Sequence, residues 1–381
     1  MSASGWTAGL RALFERWADA WLAARNRMLS NPGFQRWAAR SLLTRFIARR
    51  RAAALFDLTA GFVYSQILHA VARLGLLEHL RDGPRALEEL ADRLELSCAS
   101  MLVLLDAAAS LRLVQARGGR YALGIHGCSY VGNPALANLV EHHAIFYRDL
   151  ADPVALLRGE LDAPELNRFW SYTRRGAPQA TAREVSAYSE LMATSVALLA
   201  EDVIESYPFR EHRRLLDVGG GEGAFLEAVA RATPELELSL FDLPPVAARA
   251  SVRLDHAGLT HRVRVCQGDW FTDPLPTGAD LVTLVRVLHD HDDHEVMRLL
   301  TAIRRVMAPG SVLLVAEPMR GTAGLERVGD AYFGFYMLAM GQGRPRTPEQ
   351  LCALLRRAGF EPSPRPTRRP MISQMISARA T

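Results

Sequence analysis

A glycine-rich run beside a single acid is the first chemistry this chain offers. It reads Leu215-Leu216-Asp217-Val218-Gly219-Gly220-Gly221-Glu222-Gly223. Glycines at 219, 221 and 223 let the backbone come close to a ligand. The spacing Gly219-x-Gly221-x-x-Ala224 also fits the dinucleotide fingerprint, so the glycines alone leave two readings. Asp217 separates them. A dinucleotide brings an anionic pyrophosphate to this turn, which a carboxylate repels. S-adenosylmethionine brings a sulfonium and an ammonium, which a carboxylate attracts. Asp242, in Phe-Asp-Leu-Pro, follows where an acid holds ribose hydroxyls. Asp269, in Gly-Asp-Trp-Phe, offers an acceptor for an adenine amino group beside the face of Trp270. Together these favour a methyl donor over a nicotinamide. Taken singly, Asp242 also reads as a helix N-cap before Pro244-Pro245, and Trp270 as core.

A second cluster, His289-Asp290-His291-Asp292-Asp293-His294, packs three histidines and three aspartates into six residues. A metal is one reading, but no partner cluster stands elsewhere, and no metal is expected. Asp292 and Asp293 suit the start of a helix, where the dipole favours acids. His289, at the carboxyl end of a strand, suits proton removal: a neutral imidazole accepts a proton near neutral pH. Glu317 ends the next strand, in Val-Ala-Glu-Pro, and adjacent strand ends would bring it to His289 to fix the tautomer. Asp290 is taken with them as catalytic. The structural alternatives are a satisfied core histidine and a capping or surface acid.

Strand–helix alternation from residue 213 must position these groups. The pattern predicts strands at 214–218, 236–241, 263–266, 280–285, 312–316 and 371–377, with helices at 224–232, 245–257, 293–307 and 347–358. That is a mostly parallel α/β sheet with helices on both faces, binding ligands beyond the carboxyl ends of its strands. Composition narrows the chemistry further. All 45 basic residues of the 381 are arginine, which excludes Schiff-base, P-loop-lysine and lysine-base mechanisms. Cys98, Cys128, Cys266 and Cys352 form no C-x-x-C pair, which suits a reducing compartment. No apolar run of bilayer-spanning length and no signal-peptide core are read, so the expectation is a cytoplasmic protein, soluble or peripheral at the inner membrane.

Residues 56–130 read as short helices, a helix pair at 87–94 and 97–111, and a hairpin around Gly118-Gly119. This order is a winged helix. Its second helix carries Asp106 and no basic residue, whereas a recognition helix needs arginine or lysine for phosphates and bases. A dimerisation module is expected, and no nucleic acid. Residues 131–207 read as a helical linker and pocket region, and 208–381 as the catalytic domain. The first 55 residues carry ten arginines against Glu15 and Asp19, and four of the six tryptophans. Leu10, Leu13, Phe14, Trp17, Trp21 and Leu22 recur at helical spacing. An arginine-rich helix with a Trp/Leu face fits a membrane surface or a partner subunit.

The ordered motifs Leu-Leu-Asp-Val-Gly-Gly-Gly-Glu-Gly, Phe-Asp-Leu-Pro, Gly-Asp-Trp-Phe, Val-Leu-His-Asp, Val-Ala-Glu-Pro and Arg346-Thr347-Pro348-Glu349 resemble the plant-type small-molecule O-methyltransferases from residue 56 to the end. The resemblance implies a winged-helix-like dimerisation domain, a homodimer, and a Rossmann-like class I methyltransferase domain with a reversed last strand. It implies that Gly219, Asp242, Asp269 and Trp270 bind S-adenosylmethionine, that His289 is the base and that Glu317 orients it. Asp217, Gly221, Gly223, Leu243, Phe271 and Arg286 complete the candidate donor contacts. The chain departs from the family at Val285, where a lysine is usual, at His291, where an aromatic is usual, and at Pro345, where a second acid is usual. Within the family it most resembles the carotenoid branch, which implies methylation of the tertiary 1-hydroxyl of an acyclic hydroxycarotenoid. Phe146, Trp170, Phe333, Tyr336 and Met337 are the candidate pocket residues. A phenolic polyketide acceptor, or a donor-sensing regulator, is the alternative.

Overall fold

Three helices open the chain. In the computed structural model, which describes residues 3–162, 164–169, 196, 199–322, 324–365, 367 and 374–381, α1 covers Ala3–Leu29, α2 Pro32–Arg40 and α3 Arg45–Arg73. The break between α1 and α2 is chemical. Asn31 caps α2 by accepting from the backbone N–H groups of Gly33 and Phe34, and Pro32 occupies the first helical turn.

The next unit has the expected winged-helix order. β1 (Arg85–Ala86) precedes helix Leu87–Arg93, and Ser97 caps helix Cys98–Ser110 through Ser100 N. β2 (Val114–Arg117) and β3 (Arg120–Leu123) form a hairpin whose turn, Gly118-Gly119, has positive φ at both positions. β1 adds to β3. The C-terminal part of α3 is built into this core: Val71 packs with Leu76, Leu90, Met101 and Leu105. One expectation is corrected here. α3 is, by length and composition alone, long and apolar enough to cross a bilayer, although no such run was read from the sequence. Its arginines at 45, 49, 50 and 51 mask the apolar stretch that follows.

The catalytic-side sheet has seven strands: β4 (Arg214–Val218), β5 (Glu237–Asp242), β6 (Val263–Gln267), β7 (Leu281–Val285), β8 (Val312–Glu317), β9 (Phe360–Arg365) and β10 (Gln374–Ala380). Their order is β6-β5-β4-β7-β8-β10-β9. The first five run parallel, and β10 lies antiparallel to both β8 and β9. Order reverses between β4 and β7, so the ligand crevice lies at their carboxyl ends. Helices Ala224–Ala232 and Pro244–His256 cover one face, helices Asp293–Val306 and Pro348–Arg357 the other. β7 is buried at all five positions, as a central parallel strand requires. β9 was not expected, because Pro362 and Pro364 cannot donate to a ladder. It is an edge strand paired on one side only, where proline is tolerated. Of the expected last strand, residues 371–373 lie outside the described residues.

Apolar side chains on α3 and helix Cys98–Ser110 face solvent: Phe56, Leu58, Phe62, Leu102 and Val103, the last 71% exposed. Such a surface asks for a partner. The double variant Phe62→Arg/Val103→Arg should therefore run as a monomer in light scattering where the wild type runs as a dimer.

Candidate functional site

The carboxyl edge of the sheet gathers buried carboxylates. Asp217 lies near the end of β4 at 1% exposure; its Oδ1 accepts from Thr283 Oγ1 at 2.6 Å, and its Oδ2 has no hydrogen-bond partner among the described residues. The glycine loop folds over it. Gly219, Gly221 and Gly223 all have positive φ, and a Cβ at Gly220 would come within 2.6 Å of Asp217 Oδ2. Asp242 ends β5 and ties the loop down: Oδ2 accepts from Gly221 N at 2.8 Å and Oδ1 from Leu243 N at 2.7 Å. Leu243, not Asp242, is the N-cap of helix Pro244–His256, and no side chain caps that end. Burial pushes the Asp217 carboxyl up to about 7, with the neighbouring Asp242 charge adding and the Thr283 hydrogen bond opposing. Burial also lifts Asp242, to about 6, against its two backbone donors and the Arg249 charge.

Trp270 stands at the same loop. A Cβ at Gly219 would meet its ring at 3.5 Å, and its buried Nε1 has no hydrogen-bond partner among the described residues. Asp269 Oδ1 accepts from Phe271 N, which fixes the turn, and the Arg298 guanidinium lies 4.5 Å from the Phe271 ring centroid. Gly268 is required by packing, since a Cβ there would strike the Phe241 ring. Arg286 follows β7 with φ of 57°, an uncommon conformation for a side-chain-bearing residue, and its N donates to Ala316 O. An acceptor buried without a donor at Asp217, a donor buried without an acceptor at Trp270, and an open glycine cradle between strand ends fit a ligand that carries positive charge and polar edges.

His289 lies on a single 3₁₀ turn, Leu288–Asp290, after β7. Its ring is nearly enclosed between two carboxylates. Glu317 Oε2 accepts from His289 N at 3.1 Å and stands 3.6 Å from Nδ1; Asp290 Oδ1 stands 3.2 Å from Nε2. Glu317 is fully buried, not a surface or capping acid. The site therefore has a second acid beside the imidazole despite Pro345, supplied by the adjacent residue in sequence. Among the described residues no group of three or more His, Cys, Asp or Glu gathers as a metal site. His291 instead pairs with Glu295 and lies edge-on to Trp270.

Arg346 is what the sequence reading missed. It is fully buried, and its guanidinium donates to Leu288 O and His291 O at 2.7 Å each and to Asp293 Oδ1 at 2.8 Å. It thus clamps the backbone on both sides of His289. The loop before it completes the clamp: Arg344 N donates to His289 O, and a Cβ at Gly343 would overlap that carbonyl. Only the position of Arg346 in a motif was visible in the sequence.

Four of the five pocket candidates come together. Phe146, Phe333, Tyr336 and Met337 are buried in one cluster with Leu156 and Leu166, and the Phe333 ring centroid lies 6.1 Å from that of His289. Trp170 lies outside the described residues. A π-helical turn, Arg327–Tyr332, leads into helix Phe333–Met340 that carries most of this wall. Two further residues belong to it. His142 Nε2 and the Tyr336 hydroxyl are 2.7 Å apart, as are His143 Nε2 and the Tyr332 hydroxyl at 2.8 Å. Burial lowers these histidines to about 3 and about 4, so both are neutral at neutral pH. The His142-His143 pair beside Phe146-Tyr147 was the available signal.

Comparison with known proteins agrees with this geometry. Residues 147–361 match the model of an O-methyltransferase domain, and residues 56–131 that of an O-methyltransferase dimerisation domain. The chain is 44% identical to demethylspheroidene O-methyltransferase of Cereibacter sphaeroides, covering 92% of this chain and 93% of that one. It is 43% identical to the protein of the same name from Rhodobacter capsulatus, over 87% and 83%. The crystal structure of human N-acetylserotonin methyltransferase in complex with SAM superposes with a TM-score of 0.70 at 27% identity, covering 87% of this chain and 97% of the other.

Two outcomes follow from the buried groups. Arg346→Met leaves two carbonyls unsatisfied; it should lower folding stability by roughly 3 kcal/mol and abolish turnover, read by urea unfolding and methyl transfer. In ligand-free protein the folded chain keeps a proton on Asp217 up to about pH 7, which the unfolded chain releases near its ordinary value of 3.8. Stability contributed by that proton is lost as pH rises through this window. Asp217→Asn should gain stability relative to wild type between pH 5 and pH 8, measured by the same unfolding with donor removed; parallel curves would refute the assignment.

Proposed function

Because the chain belongs to the O-methyltransferase family and is an S-adenosylmethionine-dependent, homodimeric member of it, we propose that its acceptor is the tertiary 1-hydroxyl of an acyclic carotenoid of the demethylspheroidene or hydroxyneurosporene type. The observation that carries this reading is the 44% identity to a demethylspheroidene O-methyltransferase over nearly the whole of both chains.

In this reading Asp217, Gly219, Gly221, Gly223, Asp242, Leu243, Asp269, Trp270, Phe271 and Arg286 hold the donor. When bound, S-adenosylmethionine supplies a methyl group activated by its sulfonium. Asp217 offers its open oxygen to the cationic end of the donor, whose charge favours the ionised carboxylate, and Asp242 keeps the loop backbone in place. His289 takes the hydroxyl proton on Nε2 as the acceptor oxygen attacks in line. The proton already on the imidazole sits at Nδ1, toward Glu317, and the Asp290 carboxylate beside Nε2 stabilises the imidazolium that forms. Glu317 also fixes the His289 backbone through His289 N, and its charge 3.6 Å from Nδ1 favours a proton on that nitrogen. A tertiary alcohol is a weak acid, so alignment supplies much of the rate. Phe146, Phe333, Tyr336 and Met337 form the wall for the polyene. His142 and His143 hold the Tyr336 and Tyr332 hydroxyls and keep that wall neutral. Such an acceptor dissolves in bilayer hydrocarbon, which puts the working surface of the enzyme at a membrane, with residues 1–55 as its contact.

The test is methyl transfer from labelled S-adenosylmethionine to a 1-hydroxycarotenoid in vesicles, beside soluble phenols. Label should enter the carotenoid. His289→Ala should lower kcat by about 10²–10⁴-fold while donor binding is retained. Label in phenols alone would overturn the acceptor.

A further inference from the structure

The arm that precedes the dimerisation domain has an order of its own. In α1, Leu13, Phe14, Trp17 and Trp21 share one helical face, and all four are exposed, by 59, 78, 78 and 57%. Glu15 and Asp19 fall on the opposite face. Arg16, Arg25 and Arg27 flank the apolar one, and the Arg25 guanidinium lies 5.2 Å from the Trp21 ring centroid. A second exposed apolar patch follows at Trp37, Leu42, Leu43, Phe46 and Ile47, with arginines at 36, 40, 45, 49, 50 and 51. Both patches lie before residue 56, ahead of the two stretches that match the family domains.

We propose that α1 and the 37–47 patch lie in the headgroup–acyl boundary of an anionic bilayer, with Trp17 and Trp21 inward and the flanking arginines among the lipid phosphates. The placement of charge selects this occupant. Aromatic and aliphatic groups enter the boundary, arginines at the edges reach headgroups along their own stems, and the two acids point to water. A second arm is a poor occupant for the same face, because ten arginines against two acids repel their own copy. The proposal rests on the carotenoid reading for its purpose, since it sets the enzyme where that acceptor dissolves, but its geometry is that of the arm alone.

The test uses full-length protein and vesicles without carotenoid, so its failure is separate from failure of the acceptor. Flotation is run with phosphatidylcholine vesicles and with phosphatidylcholine–phosphatidylglycerol vesicles, at low and high salt. Wild type should bind the anionic vesicles at least tenfold more tightly than the neutral ones, lose that preference in high salt, and show a blue shift of tryptophan emission. Phe14→Ser/Trp17→Ser/Trp21→Ser should lose binding at least tenfold while remaining dimeric in light scattering and active on acceptor in detergent. Equal binding to both vesicle types, or undiminished binding by the triple variant, would overturn the proposal. A triple variant that becomes monomeric would overturn it too, and would assign the face to the partner subunit.

Discussion

Negative charge held out of water at the carboxyl edge of the sheet is the constraint on which the rest depends. Asp217, Asp242 and Glu317 end three strands and are almost completely buried, in a chain without lysine to neutralise them. Burying a carboxylate is unfavourable unless donors or a counter-charge meet it. Asp242 has two backbone donors and Glu317 has the His289 N–H. Asp217 has one hydroxyl and an oxygen left open. A cationic ligand at that oxygen would offset the penalty, whereas an anionic pyrophosphate would add to it; this is the ground on which the cradle is proposed to hold the methyl donor.

The second half of the site depends on an arginine. The 3₁₀ turn that carries His289 is too short to hold its own shape. Arg346 reaches it from the other side of the loop at 341–346 and binds carbonyls before and after the histidine. Because Thr347 caps the following helix with a reciprocal capping box, the clamp is anchored in an element that packs on the sheet. Fold stability and the placement of the imidazole are therefore one problem.

The cluster proposed to face the acceptor is built differently. Its wall is aromatic, and its polar atoms are paired with each other: two histidines against two tyrosines. Burial keeps those histidines neutral. Such a wall accommodates a long apolar acceptor better than an ionised one. Among the described residues, exposed large apolar side chains concentrate in the N-terminal helices.

Much of this was legible in the residues. Alternating strand and helix periods gave the parallel sheet, Asp217 before the glycines favoured a sulfonium over a pyrophosphate, and the helix at 97–111, without a basic residue, pointed to dimerisation over DNA. These are local signals, set by periodicity and by charge next to a turn. What needed the tertiary structure was whatever depends on distant segments meeting. Arg346 is 58 residues from the carbonyl it holds at Leu288, His142 is 194 residues from the hydroxyl of Tyr336, and β9 exists only because β10 returns antiparallel beside it. The second acid at His289 was adjacent in sequence, but only the turn at 288–290 brings it to Nε2. Sequence determined which groups could do chemistry; the crossing of strands and loops decided which are buried together, and burial decides their charge.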